Sequence, residues 1–170
     1  LIVSDMDSTL ITIECIDEIA DMQGLKPQVA AITARSMRGE LDFSQSLRER
    51  VALLAGLPES ALARVYEERL QLMAGARELL AACREHNVKF MLVSGGFTYF
   101  TERLKAELGL DYTYANQLEI VDGKLTGRVV GDIVDAAAKR RLLIEKRSEL
   151  GLAPEQVIAM GDGANDLLML

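Results

Sequence analysis

The chain has 170 residues, 49% hydrophobic and 26% charged, enough to bury a real core in one domain or in one domain with a sizeable insertion. With 19 basic and 26 acidic residues its net charge is −7, so neither nucleic acid nor an anionic membrane is an expected partner. An anionic substrate must therefore be held by a few placed cations rather than by a general field.

One histidine and two cysteines (Cys15 and Cys83) without CxxC spacing argue against a zinc centre or a histidine triad. Cysteines so used suit a reducing compartment, and a cytoplasmic location is expected. No run reaches the roughly 18 apolar residues of a membrane span, and no signal peptide is visible. The chain begins inside a strand and stops inside an apolar helical run, so it reads as part of something longer.

Leu1-Ile2-Val3 predicts a buried strand that breaks where Asp5-Met6-Asp7-Ser8-Thr9-Leu10 begins. Two acids that close repel unless a cation lies between them, and a hard divalent ion such as Mg²⁺ answers that need. Taken alone, the stretch reads first as an Asx-type turn ending a strand.

Residues 12 to 73 show helical periodicity throughout. Ile13, Ile16, Ile19 and Ala20 form one face, ending near Gly24; Val29, Ile32 and Met37 suggest a second helix, stopped by Gly39. Asp42 can cap a third helix with Phe43, Leu47, Val51 and Leu54 inside, stopped by Gly56. Pro58 is placed to start a fourth, with Leu62, Val65, Tyr66 and Leu70. This predicts a small helical bundle inserted directly after the first strand.

Beyond Gly75 the pattern alternates. A helix over about 76–86 leads to a strand over 88–93 that ends at Ser94-Gly95-Gly96, from which a helix runs to about Leu108. A stretch of short strands follows, with a hairpin at Asp122-Gly123. A helix over about 136–150 leads to a strand over 156–160 that ends at Gly161-Asp162-Gly163. The expectation is an α/β fold, a Rossmann-like parallel sheet with an inserted helical cap: residues 1–11 and 75–170 as the core and 12–74 as the cap.

In such a sheet ligands bind outside the carboxyl ends of the strands. Asp5 and Asp7, Ser94-Gly95-Gly96, and Asp162-Gly163 with Asn165 and Asp166 all fall there. Free N–H groups and a hydroxyl at Ser94-Gly95-Gly96 suit a phosphate. Lys139, flanked by alanines, reads on its position alone as a solvated helix charge.

DxDST, then SGG, then a lysine, then GDGxND is a combination that resembles the haloacid dehalogenase phosphatase superfamily. The helical insert resembles that superfamily's first type of cap. Thr12–Ala20, Phe43–Val51 and Ser94-Gly95-Gly96-Phe97 are closely similar to its phosphoserine-hydrolysing branch. The resemblance implies a Mg²⁺-dependent hydrolase that ends serine biosynthesis.

In that scheme Asp5 is the nucleophile, forming an aspartyl phosphate, and Asp7 is the general acid and base. The metal falls to Asp5, the Asp7 carbonyl and Asp162, and the phosphoryl group to Ser94, Gly95 and Lys139. Glu14 is assigned to the substrate ammonium and Arg50 to its carboxylate. Met37 and Phe43 close over the site, Asn165 binds substrate or orients water, and Thr9 and Asp166 support.

Several alternatives stay open on the residues themselves. Met37 and Phe43 sit at core spacing, and Glu14 and Arg50 are by default surface charges. The acceptor is left open between water and another hydroxyl, as is a different small phosphate ester. A non-catalytic phospho-accepting receiver is the competing class, disfavoured by the extra acid Asp7 and the helical insert. A homodimer is among the assemblies left open.

Overall fold

The computed structural model describes residues 1–170. Five strands form one sheet in the order β4-β3-β2-β1-β5: β1 (Ile2–Ser4), β2 (Phe90–Phe97), β3 (Tyr112–Val121), β4 (Lys124–Val130) and β5 (Ile158–Met160). β1 pairs parallel with both β2 and β5, β2 pairs parallel with β3, and only the β3–β4 hairpin is antiparallel. Because the order reverses direction at β1, the crevice beyond its carboxyl end is the natural ligand position.

The helices are α1 (Cys15–Met22), α2 (Lys26–Met37), α3 (Phe43–Ala52) and α4 (Glu59–Glu68) between β1 and β2, then α5 (Ala76–Glu85), α6 (Thr98–Leu108) and α7 (Ala136–Glu149). Strand alternation assigns the two sheet faces. Ile2, Phe90 and Leu92 point into a cluster of 24 buried residues that includes Ile16 and Ile19 of α1, Leu47 and Val51 of α3, and Phe100 and Leu104 of α6. Val3, Met91 and Val93 face the opposite way, onto Ala138 and Leu143 of α7.

The four inserted helices enter and leave at one place. Thr12 N donates to Gln71 O at 2.9 Å and Met73 N to Leu10 O at 2.9 Å, so the two connecting segments run side by side. A second tie lies at the far end. Gly56 N donates to Leu125 O at 2.7 Å, Leu125 N to Leu57 O at 2.8 Å and Glu59 N to Gly123 O at 2.8 Å, so the segment after α3 pairs with the hairpin.

Three expectations are corrected in detail. Ser94-Gly95-Gly96 does not open a helix: β2 continues to Phe97, where pairing with Asn116 of β3 resumes after a register shift, and α6 starts only at Thr98. The short strands are two longer ones joined by the expected hairpin at Asp122-Gly123: the ten-residue β3, whose first half pairs with β2 and second half with β4, and the seven-residue β4. Met37 is not on the buried face of α2; as that helix's last residue it is 85% exposed, while Val29 alone among the helix's residues is fully buried.

Gly127 of β4 lies against α3 at φ +86°, where a Cβ would come within 2.8 Å of Ala55 Cβ and 3.3 Å of Ala52 O. Gly127→Ala therefore combines backbone strain with overpacking and should cost about 1–3 kcal/mol. At roughly 2–4 °C per kcal/mol for a chain of this size, the melting temperature falls by several degrees in a thermal scan. An unchanged melting temperature would mean that the hairpin does not rest on α3 in solution.

Candidate active site

Beyond the carboxyl ends of β1, β2 and β5 lies a cavity of about 210 Å³. Asp5 and Asp7 enter it from the loop after β1, Ser94 and Gly95 from the end of β2, and Asp162 and Asn165 from the loop after β5; Glu14, Phe43 and Arg50 reach it from the inserted helices. Nine of the sequence-predicted residues thus line one space.

Lys139 stands behind that wall. It is fully buried in the first turns of α7, whose start is fixed by Asp135 accepting from Ala138 N at 2.8 Å. Its ammonium lies 2.9 Å from Asp5 Oδ1 and 2.7 Å from Asp166 Oδ1. The reading of Lys139 as a solvated helix charge is therefore overturned. Asp5 Oδ1 also accepts from Met6 N at 2.7 Å, which leaves Oδ2 without a protein partner. Burial pushes the Asp5 carboxyl up, to about 6, against the pull of the Lys139 ammonium.

Asp166, also fully buried, uses its second oxygen to accept from Asp162 N and Gly163 N, both at 3.1 Å. A Cβ on Gly161 would overlap the Asp166 side chain, and one on Gly163 would overlap Asn165 Oδ1. The glycines of Gly161-Asp162-Gly163 are thus required by this close wrapping of the loop. Thr9 Oγ1 donates to Asp162 Oδ1 at 2.9 Å and so ties the first loop to the last.

Carboxylate oxygens of Asp5, Asp162 and Asp166 lie within 4.8 Å of one another. Asp166 has already committed both oxygens to protein donors, whereas Asp5 and Asp162 each keep one without a partner. An all-oxygen donor set of this kind fits a hard divalent cation.

Asp7 is the most perturbed acid. Its Oδ2 accepts from Cys15 N at 3.4 Å and its enclosed Oδ1 has no partner. Burial, with the Glu14 charge adding to it, raises the carboxyl to about 8. Glu14 accepts from Ser8 Oγ at 2.5 Å; desolvation at the cavity raises its pKa, and the Ser8 hydrogen bond opposes this. Ser8 reaches it from a left-handed backbone, φ +55°. Arg50 donates to Ser46 O at 3.3 Å, and burial lowers its pKa.

Phe43 begins α3, where Asp42 and Gln45 form a reciprocal capping box. Its ring lies across Gly95, so close that a Cβ there would come within 2.8 Å of Phe43 Cζ. Met37, by contrast, does not line the cavity.

Sequence reading missed Asn116. It is fully buried in β3, donates to Gly95 O at 2.8 Å and accepts from Val134 N at 2.7 Å, joining the Ser94-Gly95-Gly96 segment to the approach to α7. Nothing in the local pattern marks it, since β3 also carries Thr113, Gln117 and Glu119. Ile16 and Leu47, read only as core, also border the cavity.

This sheet, with acids at the carboxyl end of β1 and a buried lysine beside them, defines a hydrolase of the haloacid dehalogenase type. The model of the haloacid dehalogenase-like hydrolases matches residues 2–170, and the chain belongs to that family. It is 56% identical over 175 residues to the phosphoserine phosphatase of Polaromonas sp., covering all of this chain and 74% of that protein. To the phosphoserine phosphatase of Archaeoglobus fulgidus it is 52% identical over 170 residues, spanning 49% of that protein's length. It superposes with a TM-score of 0.90 on a phospho-aspartyl intermediate analogue of phosphoserine phosphatase, at 41% identity, over 99% of this chain and 80% of that one.

The Asp7 environment makes a pH prediction for the metal-free protein. A carboxyl held near 8 in the folded chain and near its ordinary value of about 3.9 when unfolded binds its proton more tightly in the native state. Stability from this group is complete below about pH 4 and is lost as pH rises toward 8. Asp7→Asn should therefore gain stability over wild type at pH 8.5 relative to the offset at pH 4, in urea unfolding with EDTA present. Equal offsets at both pH values would mean that the carboxyl titrates normally.

Proposed function

We propose that this chain is the catalytic portion of a Mg²⁺-dependent phosphoserine phosphatase, which hydrolyses O-phospho-L-serine to L-serine and phosphate at the end of serine biosynthesis. The observation that carries the reading is the pairing, within one cavity, of a phosphoryl-transfer end at the sheet with Glu14 and Arg50 at the helices. An amino acid's ammonium and carboxylate call for that pair of opposite charges. In this reading residues 12–74 are a cap over a core of residues 1–11 and 75–170, and the protein acts in the cytoplasm, which suits its two free cysteines.

Asp5, with Oδ2 unpartnered, attacks phosphorus and takes the phosphoryl group as an aspartyl phosphate. Asp7, which burial keeps protonated near neutral pH, gives that proton to the departing serine oxygen; it then takes one from the water that hydrolyses the aspartyl phosphate. Ser94 Oγ and the Gly95 N–H would receive the equatorial oxygens, and the Lys139 ammonium, held against Asp5 from behind the cavity wall, would offset their charge. Asp5, Asp162 and the Asp7 carbonyl would hold Mg²⁺, which when bound neutralises charge shared between the nucleophile and the phosphate. Asn165 orients substrate or water, and Phe43 over Gly95 excludes bulk solvent.

The test is phosphate release from phosphoserine, which should require Mg²⁺ and stop with EDTA. Turnover that survives complete metal removal would sink the site model, and serine formed with the phosphoryl group passing to an added alcohol in place of phosphate release would make the enzyme a phosphotransferase.

Arg50→Ala separates the amino-acid reading from that of a general phosphatase. A charge-assisted hydrogen bond is worth roughly 1.5–3 kcal/mol, about ten- to a hundredfold. The loss in kcat/KM should be of that size for phosphoserine and severalfold at most for an aryl phosphate. Should both substrates fall together, Arg50 is holding the helices in place instead.

A further inference from the structure

The apolar part of the cavity has no task in the mechanism above. Phe43 is occupied in covering Gly95, and Phe97 belongs to the sheet side, at the end of β2. The surfaces left are Ile16 and Leu47, 7% and 2% exposed. Each is tied in sequence to a group assigned to the substrate's charged end. Ile16 follows Glu14 by two residues at the start of α1. Leu47 is four residues after Phe43 and three before Arg50, on one face of α3.

Phosphoserine has little apolar material to meet such a wall: a CH carrying the ammonium and carboxylate, and the CH₂ that bears the phosphate. With the phosphoryl group at the sheet and the charges at Glu14 and Arg50, that short carbon stretch must run past the helices' apolar side chains. The wall cannot easily yield. Ile16 and Leu47 belong to the main hydrophobic cluster, and interiors are close-packed. α3 is fixed at its start by the Asp42–Gln45 capping box and just beyond its end by Gly56 N on Leu125 O at 2.7 Å.

We propose that Ile16 and Leu47 determine specificity by size, accepting a primary phosphate ester and rejecting a methyl group on the carbon that bears the phosphate. Phosphothreonine, which carries the same phosphate, ammonium and carboxylate plus that one methyl, is the substrate the wall excludes. The proposal rests on the phosphoserine reading and names what that reading leaves unassigned. A single methyl in an apolar pocket discriminates by about 10- to 200-fold.

The test measures kcat/KM of the full-length protein with Mg²⁺ for phosphoserine and phosphothreonine. Wild type should favour phosphoserine by roughly 10- to 200-fold. Leu47→Ala should shrink that ratio about tenfold or more by raising the phosphothreonine value, with phosphoserine falling severalfold at most. Ile16→Val and Leu47→Val, which leave smaller gaps and endanger folding less, should move the ratio in the same direction. Leu62→Ala, equally buried in α4 but away from the cavity, should leave the ratio alone.

A ratio unmoved in every wall variant, or a wild type that takes both esters equally, overturns the wall while leaving the phosphoserine reading intact. A wild type that releases no phosphate from phosphoserine overturns that reading itself.

Discussion

A fully buried ammonium is the constraint on which the rest depends. Lys139 lies between Asp5 and Asp166 with no access to solvent. Desolvating an ammonium costs several kcal/mol, and only close opposite charges with good geometry offset that cost. The end of β1, the first turns of α7 and the loop after β5 are therefore held in one arrangement. The remaining oxygen of Asp166 carries the constraint outward by fixing the backbone of Asp162 and Gly163. The acids that face the cavity are thus placed by a charge that lies behind it.

The electrostatics of the cavity follow from the same burial. Asp5 and Asp7 are both pushed upward, but to different degrees, because Asp5 has the lysine and Asp7 has none. Two carboxylates two residues apart thereby take up different protonation near neutral pH. In the proposed reaction that division would supply a nucleophile and an acid from one residue type, as environments that push pKa values apart commonly do. The helical side adds charges of both signs, Glu14 and Arg50, to an otherwise acidic space.

Much of this was readable in the sequence, and the exceptions have physical causes. The alternation of strands and helices, the helical insertion and the grouping of motifs at strand ends all depend on local periodicity and turn chemistry, which a sequence displays. Lys139 was readable only through its resemblance to a family, because helix position alone makes a lysine look solvated. Asn116 was missed because its importance lies in two contacts, to Gly95 and Val134, that are 21 and 18 residues away. The extension of β2 through two glycines was hidden because glycine suggests a turn, and here its lack of a Cβ admits Phe43 and Met6 instead. Met37 showed the opposite failure: its spacing fitted a core face, but the helix ends there and the side chain is left outside.

The single cluster of 24 buried residues joins the inserted helices to the sheet without a break. An insertion that shares its core in this way is not a portable part. Its apolar residues run on into Phe90, Leu92 and Phe100 within one cluster and α3 rests on β4, so another scaffold would leave them exposed or poorly filled. Grafting a foreign helical insert onto this sheet would face the same mismatch from the other side. Change in what the helices recognise is therefore confined to the few side chains that border the cavity, while the packing behind them must stay in register with the strands.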